Sequence, residues 1–581
     1  MNRVKTSDNR APFLLKDEPI ENQRSLKVRV IGAGLSGIYL GIRIPQRLRN
    51  VDLKIYEKND GVGGTWWENR YPGCACDIPA HSYQFTFEPN KYWNGFYAKA
   101  EEIRHYIERV SNKYGANRFI HLGRKVTSYG WDESKKQWHI CIECLDTGAK
   151  FEEDVDIVVS ARGFLNDMKW PDIPGWQDFK GEKMHSAKWN DNYDFQNKKI
   201  AVIGGGSSSL QLVPELRKIS GVEVNVFMRQ KTWITNRFGD FIMEQMGWDP
   251  SQLDISSDRI SEWETDEAAY LKFRKLLDDD SNSIHFSVKK GSDMQRTLVD
   301  LFSKVTREKL SSRPDLLEVF SPTFGVGCRR ITPGAGYLEA LCEANVRLFT
   351  GDIDFISSSG LSVAGEHVDA DVLVCATGFN TSAIPTFPVV GKEGVTLAKK
   401  FSPFPQTYLS LAIAGFPNYF MMLGPNSGIA AGPLNPLIEA QGDYIIKCIR
   451  KLQKEDYKSM TPKKERVDDF MEYVGDYFKQ TVFMDPCKSW YKTDGGTGNR
   501  ISALWPGSIL HQMEALRAPR WEDYDFDTQE QNRLRWFGNG FSKCLIGEGD
   551  PSFYLNPNVV DVPLAGTPEQ DVVHEARPYS H

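Results

Sequence analysis

The stretch that decides the fold is residues 27–37, which read KVRVIGAGLSG. A short apolar strand runs into a turn containing Gly32, Gly34 and Gly37, and a helical pattern follows. A bound dinucleotide needs this arrangement, because the glycines let the backbone approach the pyrophosphate and the helix N-terminus faces its charge. The next apolar strand ends in Glu57. A carboxylate there accepts hydrogen bonds from both ribose hydroxyls, so the turn is predicted to bind FAD or NAD rather than a 2′-phosphate.

The arrangement recurs in residues 199–209, which read KIAVIGGGSSS. A serine takes the third glycine place, where helix packing requires only a small side chain. The following strand ends near Arg229, and a cation there favours the extra phosphate of NADP. The two units prefer opposite charges, which implies that FAD binds to the first unit and NADPH to the second. Electrons would then flow from NADPH to FAD. The contacts predicted for the second unit come from Gly204, Gly206, Ser207, Ser208 and Arg229.

The two strand–turn–helix units predict an α/β fold with two interleaved Rossmann-type dinucleotide-binding domains and a helical insertion. At 581 residues the chain is too long for one hydrophobic core. Strand character returns after a charged, helix-like stretch, so the first domain is expected to be completed after the second. The predicted division is an extension (1–27), the FAD domain (28–165 and 365–450), the NADPH domain (166–229 and 319–364), the insertion (230–318) and a C-terminal region (451–581) with a loop that covers substrate and NADP.

Composition narrows the partners and the compartment. A net charge of −6 and a pI near 6.0 argue against nucleic acid, which usually selects a basic face. Residues 1–27 lack an apolar signal core, and prolines and asparagines interrupt the most apolar stretch, 409–431, so no integral membrane span is expected. Ten scattered cysteines suit free thiols better than a disulfide framework. We therefore expect a cytoplasmic protein, and we favour a monomer.

One CxxC pair, Cys141 and Cys144, lies in an apparent strand that leads to a turn. Residues three apart on a strand point to opposite faces, so these two thiols are not expected to share a zinc ion. No metal site is predicted.

Between the two units, residues 179–189 read FKGEKMHSAKW and match the pattern FxGxxxHxxxW. On this segment the chain resembles the type I Baeyer–Villiger monooxygenases, a group of class B flavoprotein monooxygenases. The family pattern continues with Pro or Asp where this chain has Asn190. Another departure is Arg162, where the family usually has the Thr of its first hinge. Both departures bear on the hinges between domains.

Four further segments carry the resemblance. Residues 63–77 are similar to the family's GGxW…YPGxxxD segment beside the flavin ring. Residues 328–339 resemble its Lys-Arg…YYE stretch, and 489–491 its tryptophan near the nicotinamide ribose. Residues 503–508, ALWPGS, look like members from filamentous fungi, a subgroup of secondary metabolism. The family thereby implies further flavin contacts from Gly64, Thr65, Trp66, Tyr71 and Asp77.

The resemblance also implies roles for particular residues. Arg330 would stabilise a flavin peroxide anion, since a guanidinium stays charged and is no ready proton donor at neutral pH. Asp77 would position Arg330, and Arg329 would join Arg229 on the 2′-phosphate. Trp490 would cover bound NADP⁺ and exclude water. His185 has two readings, a general base or a residue that orders the linker between domains, and we favour the second.

The predicted enzyme is thus a monooxygenase that uses NADPH and O2. It would convert a small-molecule ketone to an ester or lactone through a C4a-peroxyflavin, with a bulky secondary metabolite as substrate. An alternative uses the same chemistry for oxygenation at nitrogen, sulfur or an alkene, or for an oxidative rearrangement. A flavin disulfide reductase is disfavoured because its CxxxxC is missing. A flavoprotein without enzymatic activity is disfavoured because Arg330, Asp77 and both glycine turns are present.

Overall fold

A computed structural model describes residues 13–235, 237–528, 530 and 532–555. Two five-stranded sheets, each with all strands parallel, form the frame of the molecule. In each sheet, one strand leads through a glycine turn into a helix: Leu26–Ile31 into Leu35–Arg47, and Lys199–Ile203 into Ser207–Leu216. The predicted α/β fold with two Rossmann-type units is confirmed.

The first sheet belongs to the unit of the first glycine turn. Its inner strands are almost continuously apolar and buried, as parallel strands are when both faces are covered. The helix after the turn, Leu35–Arg47, packs against Leu434–Lys454, where the ring of Tyr39 lies against Gly442. The chain thus returns to this unit late in its sequence. The strand order is Tyr419–Met421, Ile157–Ser160, Leu26–Ile31, Val51–Tyr56 and Ile120–His121.

The second sheet belongs to the unit of the second glycine turn. Its strand order is Val346–Thr350, Glu223–Met228, Lys199–Ile203, Val372–Cys375 and Glu182–His185. The segment Val372–Cys375 pairs with Lys199–Ile203 in parallel register, although the predicted division assigns residues 365–450 to the FAD domain. We therefore propose to move that boundary to the end of this strand. The rest of the domain division stays a prediction.

Smaller sheets surround the frame. A four-stranded sheet, mostly antiparallel, consists of Val389–Val390, Arg124–Asp132, Gln137–Cys144 and Lys150–Val155. An antiparallel sheet consists of Ile353–Ile356, Gly360–Val363 and Glu366–Asp369. The described residues also form two strand pairs, Ile234–Thr235 with Thr332–Pro333 and Tyr457–Pro462 with Tyr524–Thr528.

The stretch predicted as a helical insertion has its own aromatic core. Trp263, Tyr270 and Phe273 pack together, and Phe96 joins them from outside the insertion. His81 hydrogen-bonds the Tyr270 hydroxyl at 2.9 Å, which anchors the insertion to the segment after the first glycine turn. The insertion's α-helices are Asp240–Gln245, Ser257–Thr265, Glu267–Ser283 and Asp293–Lys309. The other α-helices are Thr65–Glu68, Ala100–Lys113, Ser207–Leu216, Tyr337–Ala340, Leu397–Lys400, Lys464–Lys479 and Ile509–Ala515.

The prediction that the cysteines are free thiols is wrong for one pair. Cys328 and Cys487 form a disulfide with a Cα–Cα distance of 6.4 Å, and the other eight cysteines are free. The two partners are 159 residues apart in sequence and lie on irregular segments that meet only in the folded chain. Their spacing therefore carries no signal of the bond.

In the described ranges, no helix has both the length and the apolar character needed to cross a membrane. The cytoplasmic location and the monomeric state stay predictions.

Candidate active site

A cleft of about 510 Å³ runs along the first glycine turn. Its walls include most of the residues predicted to contact FAD, together with segments that lie far away in the sequence. The predicted residues that line it are Gly32, Gly34, Glu57, Gly64, Thr65 and Trp66.

The glycines of the first turn are explained by close backbone approaches. Gly32 has φ +109°, and a Cβ there would lie 2.7 Å from the carbonyl oxygen of Ala161. A Cβ at Gly37 would lie 2.0 Å from the carbonyl oxygen of Gly32. A larger residue at Gly32 would collide with the end of the neighbouring strand, and one at Gly37 would push the helix away from the turn.

Glu57 is an almost fully buried carboxylate at the end of its strand. One oxygen accepts from the backbone N–H of Ala33 and the other from that of Asn59, both at 2.8 Å. Burial raises the pKa of Glu57, and the two backbone donors oppose that rise. The result is a fixed acceptor at the cleft, oriented by one donor from the turn and one from the residues that follow Glu57.

Trp66, Tyr83 and Ile438 also line the cleft. Trp66 donates its indole N–H to the Tyr83 hydroxyl at 3.1 Å. One turn to either side of Ile438, the side-chain amides of Asn435 and Gln441 are fully buried. Both atoms of the Asn435 amide, and the nitrogen of Gln441, have no hydrogen-bond partner among the described residues. Ile438 lines the cleft, whereas Asn435 and Gln441 do not.

Sequence reasoning missed several residues of the cleft. Lys58 follows Glu57 directly and could have been inferred from that position. The others come from the 3-10 turn Ala80–Ser82, the four-stranded sheet, the first hinge or a late loop, and no local pattern marks them as cleft residues. The main ones are Lys58, Tyr83, Arg124, Arg162, Asn166 and Phe387.

The second glycine turn repeats the geometry of the first. Gly204 has φ +133°, and a Cβ there would lie 2.2 Å from the carbonyl oxygen of Ala376. Gly206 caps the helix Ser207–Leu216, and a Cβ there would meet no atom within 4 Å. The Ser207 hydroxyl is 2.8 Å from that of Thr332. The helix thus starts next to open space, as a pyrophosphate site requires.

Two arginines mark the far end of this second turn. Arg229 is largely exposed, and its only ion pair in the described chain is a loose one, 3.7 Å from Asp352. Arg329 is more enclosed and donates to the backbone oxygen of Lys231 at 2.9 Å. Lys231 is two residues after Arg229 in sequence. Burial lowers the pKa of Arg329, and no carboxylate of the described chain lies within ion-pair distance of it. Two guanidinium groups without a close carboxylate partner among the described residues therefore lie at one edge of the unit, an arrangement that suits a phosphate.

Arg330 forms a forked ion pair with Asp77. One terminal nitrogen of Arg330 lies 2.9 and 3.0 Å from the two Asp77 oxygens, and Nε lies 3.3 Å from one of them. The negative charge of Asp77 raises the pKa of Arg330, so the guanidinium stays charged. About a third of the Arg330 side chain is exposed, which leaves donors free for another group. The pair joins the flavin segment, residues 63–77, to residues 328–339, which follow the insertion.

A loop carrying Trp490 and Tyr491 flanks this ion pair. The Tyr491 hydroxyl interacts with the Arg330 guanidinium, and burial raises the pKa of Tyr491 to about 12. Trp490 is half-buried and stacks on Phe164, with ring centroids 5.5 Å apart. Phe164 follows the first hinge, where Arg162 pairs with Asp167 at 3.2 Å. The predicted covering tryptophan therefore lies between the hinge and Arg330.

His185 is fully buried in the linker, and both of its ring nitrogens have partners. The backbone N–H of Ala187 donates to Nδ1, so Nε2 carries the proton and donates to the carbonyl oxygen of Gly378, both at 3.1 Å. Burial lowers the pKa of His185, which keeps it neutral. A ring with both nitrogens occupied has no free position for proton transfer, so the structure supports the ordering role. It ties the segment of residues 179–189 to Gly378, three residues after the strand Val372–Cys375.

Tyr71 does not line the cleft. Its hydroxyl donates to the Gln211 side chain at 2.7 Å and lies beside Ser208. Tyr71 thus connects the flavin segment to the helix of the second glycine turn. The sequence motif placed it by the flavin ring, whereas the structure places it at the contact between the two units.

The strand predicted around the CxxC pair is present, with Cys144 on its buried side and Cys141 on its open side. Among the described residues, one group of possible metal ligands lies on that open side and consists of His139, Cys141 and Glu152. The His139 ring is held there by Glu152 and Asp154, at 3.2 and 2.9 Å. These ion pairs account for the cluster without a metal.

Two dinucleotide units, joined by the Arg330–Asp77 pair and by the Tyr71–Gln211 hydrogen bond, define the class as an oxidoreductase with two nucleotide sites. Residues 30–100 match the model of an NAD(P)-binding Rossmann-like domain. The FAD-binding monooxygenase tazF of Aspergillus terreus is 37% identical, over 92% of this chain and 95% of its own length. A Baeyer–Villiger monooxygenase of Pseudomonas aeruginosa is 30% identical, over 83% of this chain and 88% of its own.

The chain therefore belongs to the family of FAD-binding and Baeyer–Villiger monooxygenases. The crystal structure of cyclohexanone monooxygenase from Rhodococcus sp. Phi1 bound to NADP⁺ has the same fold. It superimposes with a TM-score of 0.74 at 22% identity, over 88% of this chain and 100% of that one. The family predicted from the sequence is confirmed.

Proposed function

We propose that this monooxygenase uses FAD, NADPH and O2 to convert a bulky ketone to an ester or lactone, a Baeyer–Villiger oxidation. The carrying observation is the Arg330–Asp77 pair, a fixed and partly exposed cation at the junction of the two nucleotide units. FAD, when bound and reduced by NADPH, supplies the activation of O2. The remaining steps depend on how the chain's own residues bind, orient and protect the reacting groups.

The first unit holds FAD by its backbone and one acid. The glycine turn leaves room for a pyrophosphate at the helix N-terminus, and Glu57 accepts from the ribose hydroxyls. Because the backbone N–H groups of Ala33 in the turn and of Asn59 fix the two Glu57 oxygens, this acceptor needs no reorganisation when the cofactor binds.

The second unit selects NADPH over NADH by charge. Arg229 and Arg329 lie at the same edge, and neither has a close carboxylate partner. A 2′-phosphate between them would form charge-assisted hydrogen bonds with both groups. NADH lacks that phosphate and gains nothing from the two cations.

Arg330 provides the electrostatic part of the reaction. Negative charge develops on the carbonyl oxygen of the substrate when the oxygen nucleophile attacks the carbonyl carbon. A single well-placed donor contributes about 3–4 kcal/mol to such a transition state. Arginine suits the task because it stays charged without releasing a proton at neutral pH, and Asp77 holds it in one orientation.

The surrounding residues protect and align the site. Trp490 and Tyr491 cover the face next to Arg330 and limit the access of water. His185 positions the linker through Gly378, so it acts on domain arrangement and touches no reacting atom. A ketone from secondary metabolism fits the fungal relative tazF and the resemblance of residues 503–508 to members from filamentous fungi.

The test is a product assay with labelled oxygen. Purified holoenzyme with NADPH is given a panel of cyclic and bulky ketones under ¹⁸O2, and esters are analysed by mass spectrometry. Incorporation of one ¹⁸O atom per ester is the expected result. NADPH oxidation that yields only hydrogen peroxide across the panel would contradict the ketone assignment. Labelled products from amine, sulfide or alkene substrates alone would replace it with another oxygenation.

A further inference from the structure

Two irregular segments carry the residues around the oxygenation site. Residues 321–331 hold Arg330, and residues 485–508 hold Trp490 and Tyr491. Apart from one short 3-10 turn and isolated bridges, neither segment has regular secondary structure. Their relative position therefore depends on side-chain and covalent ties between them.

The strongest tie is the Cys328–Cys487 disulfide. Cys328 is two residues before Arg330, and Cys487 is three residues before Trp490. Both sulfurs are buried. Because a residue adds at most about 3.5 Å of reach, the bond restrains both functional side chains from close by.

Polar contacts lie around the bond, two of them between segments and two within residues 485–508. The backbone N–H of Gly325 donates to the Asp485 carboxylate at 2.8 Å, and Lys290 of the insertion pairs with that carboxylate at 3.1 Å. The ammonium of Lys492 donates to the backbone oxygens of Asp485 and Cys487. The disulfide is thus the covalent part of a junction between three segments.

We propose that the Cys328–Cys487 disulfide is a positioning element of the oxygenation site, which aligns Arg330 with the loop of Trp490 and Tyr491. The inference rests on the proposed roles of Arg330 and Trp490. Reduction by a dithiol transfers two electrons and two protons to the pair. It leaves two cysteine thiols and turns the reductant into a disulfide. The junction then keeps only its noncovalent contacts.

Loosening the junction has two expected consequences. Displacement of Arg330 by about 1 Å lowers the rate of substrate oxygenation by up to about 100-fold. A displaced Trp490 loop covers the nicotinamide site less well, so bound NADP⁺ dissociates faster and water enters. NADPH oxidation then continues, with hydrogen peroxide as its main product.

The first experiment counts thiols in the holoenzyme purified without reductant. In denaturant, a thiol reagent is expected to label eight cysteines before reduction and all ten after it. Peptide mapping should find Cys328 joined to Cys487. Ten reactive thiols before reduction would overturn the proposal.

The second experiment compares the Cys328→Ala, Cys487→Ala and double variants with the matched control Cys448→Ala, a fully buried free thiol in the helix Leu434–Lys454. If the two cysteines act through one bond, both single variants and the double variant lose the same amount of activity. The fraction of NADPH that yields ester should fall about tenfold in all three. The dissociation constant of NADP⁺, measured by fluorescence quenching, should rise with it, and Cys448→Ala should match the wild type.

Wild-type enzyme treated with a phosphine reductant covers the case in which a variant fails to fold. It should behave like the double variant and recover after reoxidation. Unchanged coupling and NADP⁺ affinity in the reduced wild type would refute the positioning role. The thiol count and the NADP⁺ affinity require no ketone conversion. An enzyme that makes no ester would therefore fail the proposed function while these two measurements still test the disulfide.

Discussion

The strand after the first glycine turn ends in a buried acid, whereas the strand after the second ends in an exposed base. Glu57 is tied by two backbone hydrogen bonds, and Arg229 has one loose ion pair on the surface. An enclosed acceptor suits a cofactor that stays through many turnovers. An open cation suits one that binds and leaves in each cycle.

The two turns are nevertheless the same at the level of the backbone. Gly32 and Gly204 both have positive φ, and each lies against the carbonyl oxygen of an alanine in a neighbouring strand end, Ala161 or Ala376. The choice of nucleotide is therefore not made by the glycines. It is made one strand later, and it can be altered there without disturbing the turn.

The largest effect is expected where the two units meet, at Arg330. Arg330→Ala should lower ester formation by about 100- to 1,000-fold, because the developing charge on the substrate loses its cation. NADPH oxidation should persist, since neither nucleotide unit is changed. The yields of ester and of hydrogen peroxide per NADPH consumed measure how far NADPH oxidation is uncoupled from ester formation. Arg330→Lys keeps the charge but loses the forked contact with Asp77, so its rate of ester formation should lie between those of Arg330→Ala and the wild type. Full ester formation in Arg330→Ala would disprove the electrostatic role of Arg330.

The next effect concerns the resident cofactor. Glu57→Gln keeps the size of the side chain but removes the charge that the ribose hydroxyls would share. Hydrogen bonds to charged groups contribute about 1.5–3 kcal/mol, so FAD binding should weaken about 10- to 100-fold. Titration of apoenzyme with FAD, followed by flavin fluorescence, measures this, and the NADPH affinity of the reconstituted enzyme serves as the control. Unchanged FAD affinity would mean that the turn alone holds the cofactor.

A smaller effect is expected for the exchanging cofactor. Arg229→Ala and Arg329→Ala should each raise the KM for NADPH about tenfold, because each removes one charge-assisted contact with the 2′-phosphate. The KM for NADH should not change. Arg347→Ala, an exposed arginine on the neighbouring strand Val346–Thr350, is the matched control. Equal losses with NADH and NADPH would place the phosphate elsewhere.

Local patterns predicted both turns, because a strand, three small residues and a helix are contiguous in sequence. Glu57 and Arg229 could be found for the same reason. The assignment of Val372–Cys375 to the second sheet could not, since a buried apolar run pairs equally well in either parallel sheet. The sequence also did not predict the contact of Tyr71 with Gln211 or the Cys328–Cys487 bond, because both depend on how distant segments meet in the folded chain.

The smallest effect lies in the linker of the second unit, at His185. Its folded pKa is below the ordinary 6.5, so the unfolded chain takes up the proton more readily and stability falls as the pH drops below 6.5. His185→Gln can keep both hydrogen bonds, one from Ala187 and one to Gly378, without a titrating group. Its melting temperature should therefore fall less than that of the wild type between pH 8 and about pH 5.5. His81, whose pKa burial lowers to about 3, titrates in both proteins and cancels in the difference. Parallel pH profiles would show that His185 is not held neutral by its burial, and the linker would then have to be ordered by other contacts.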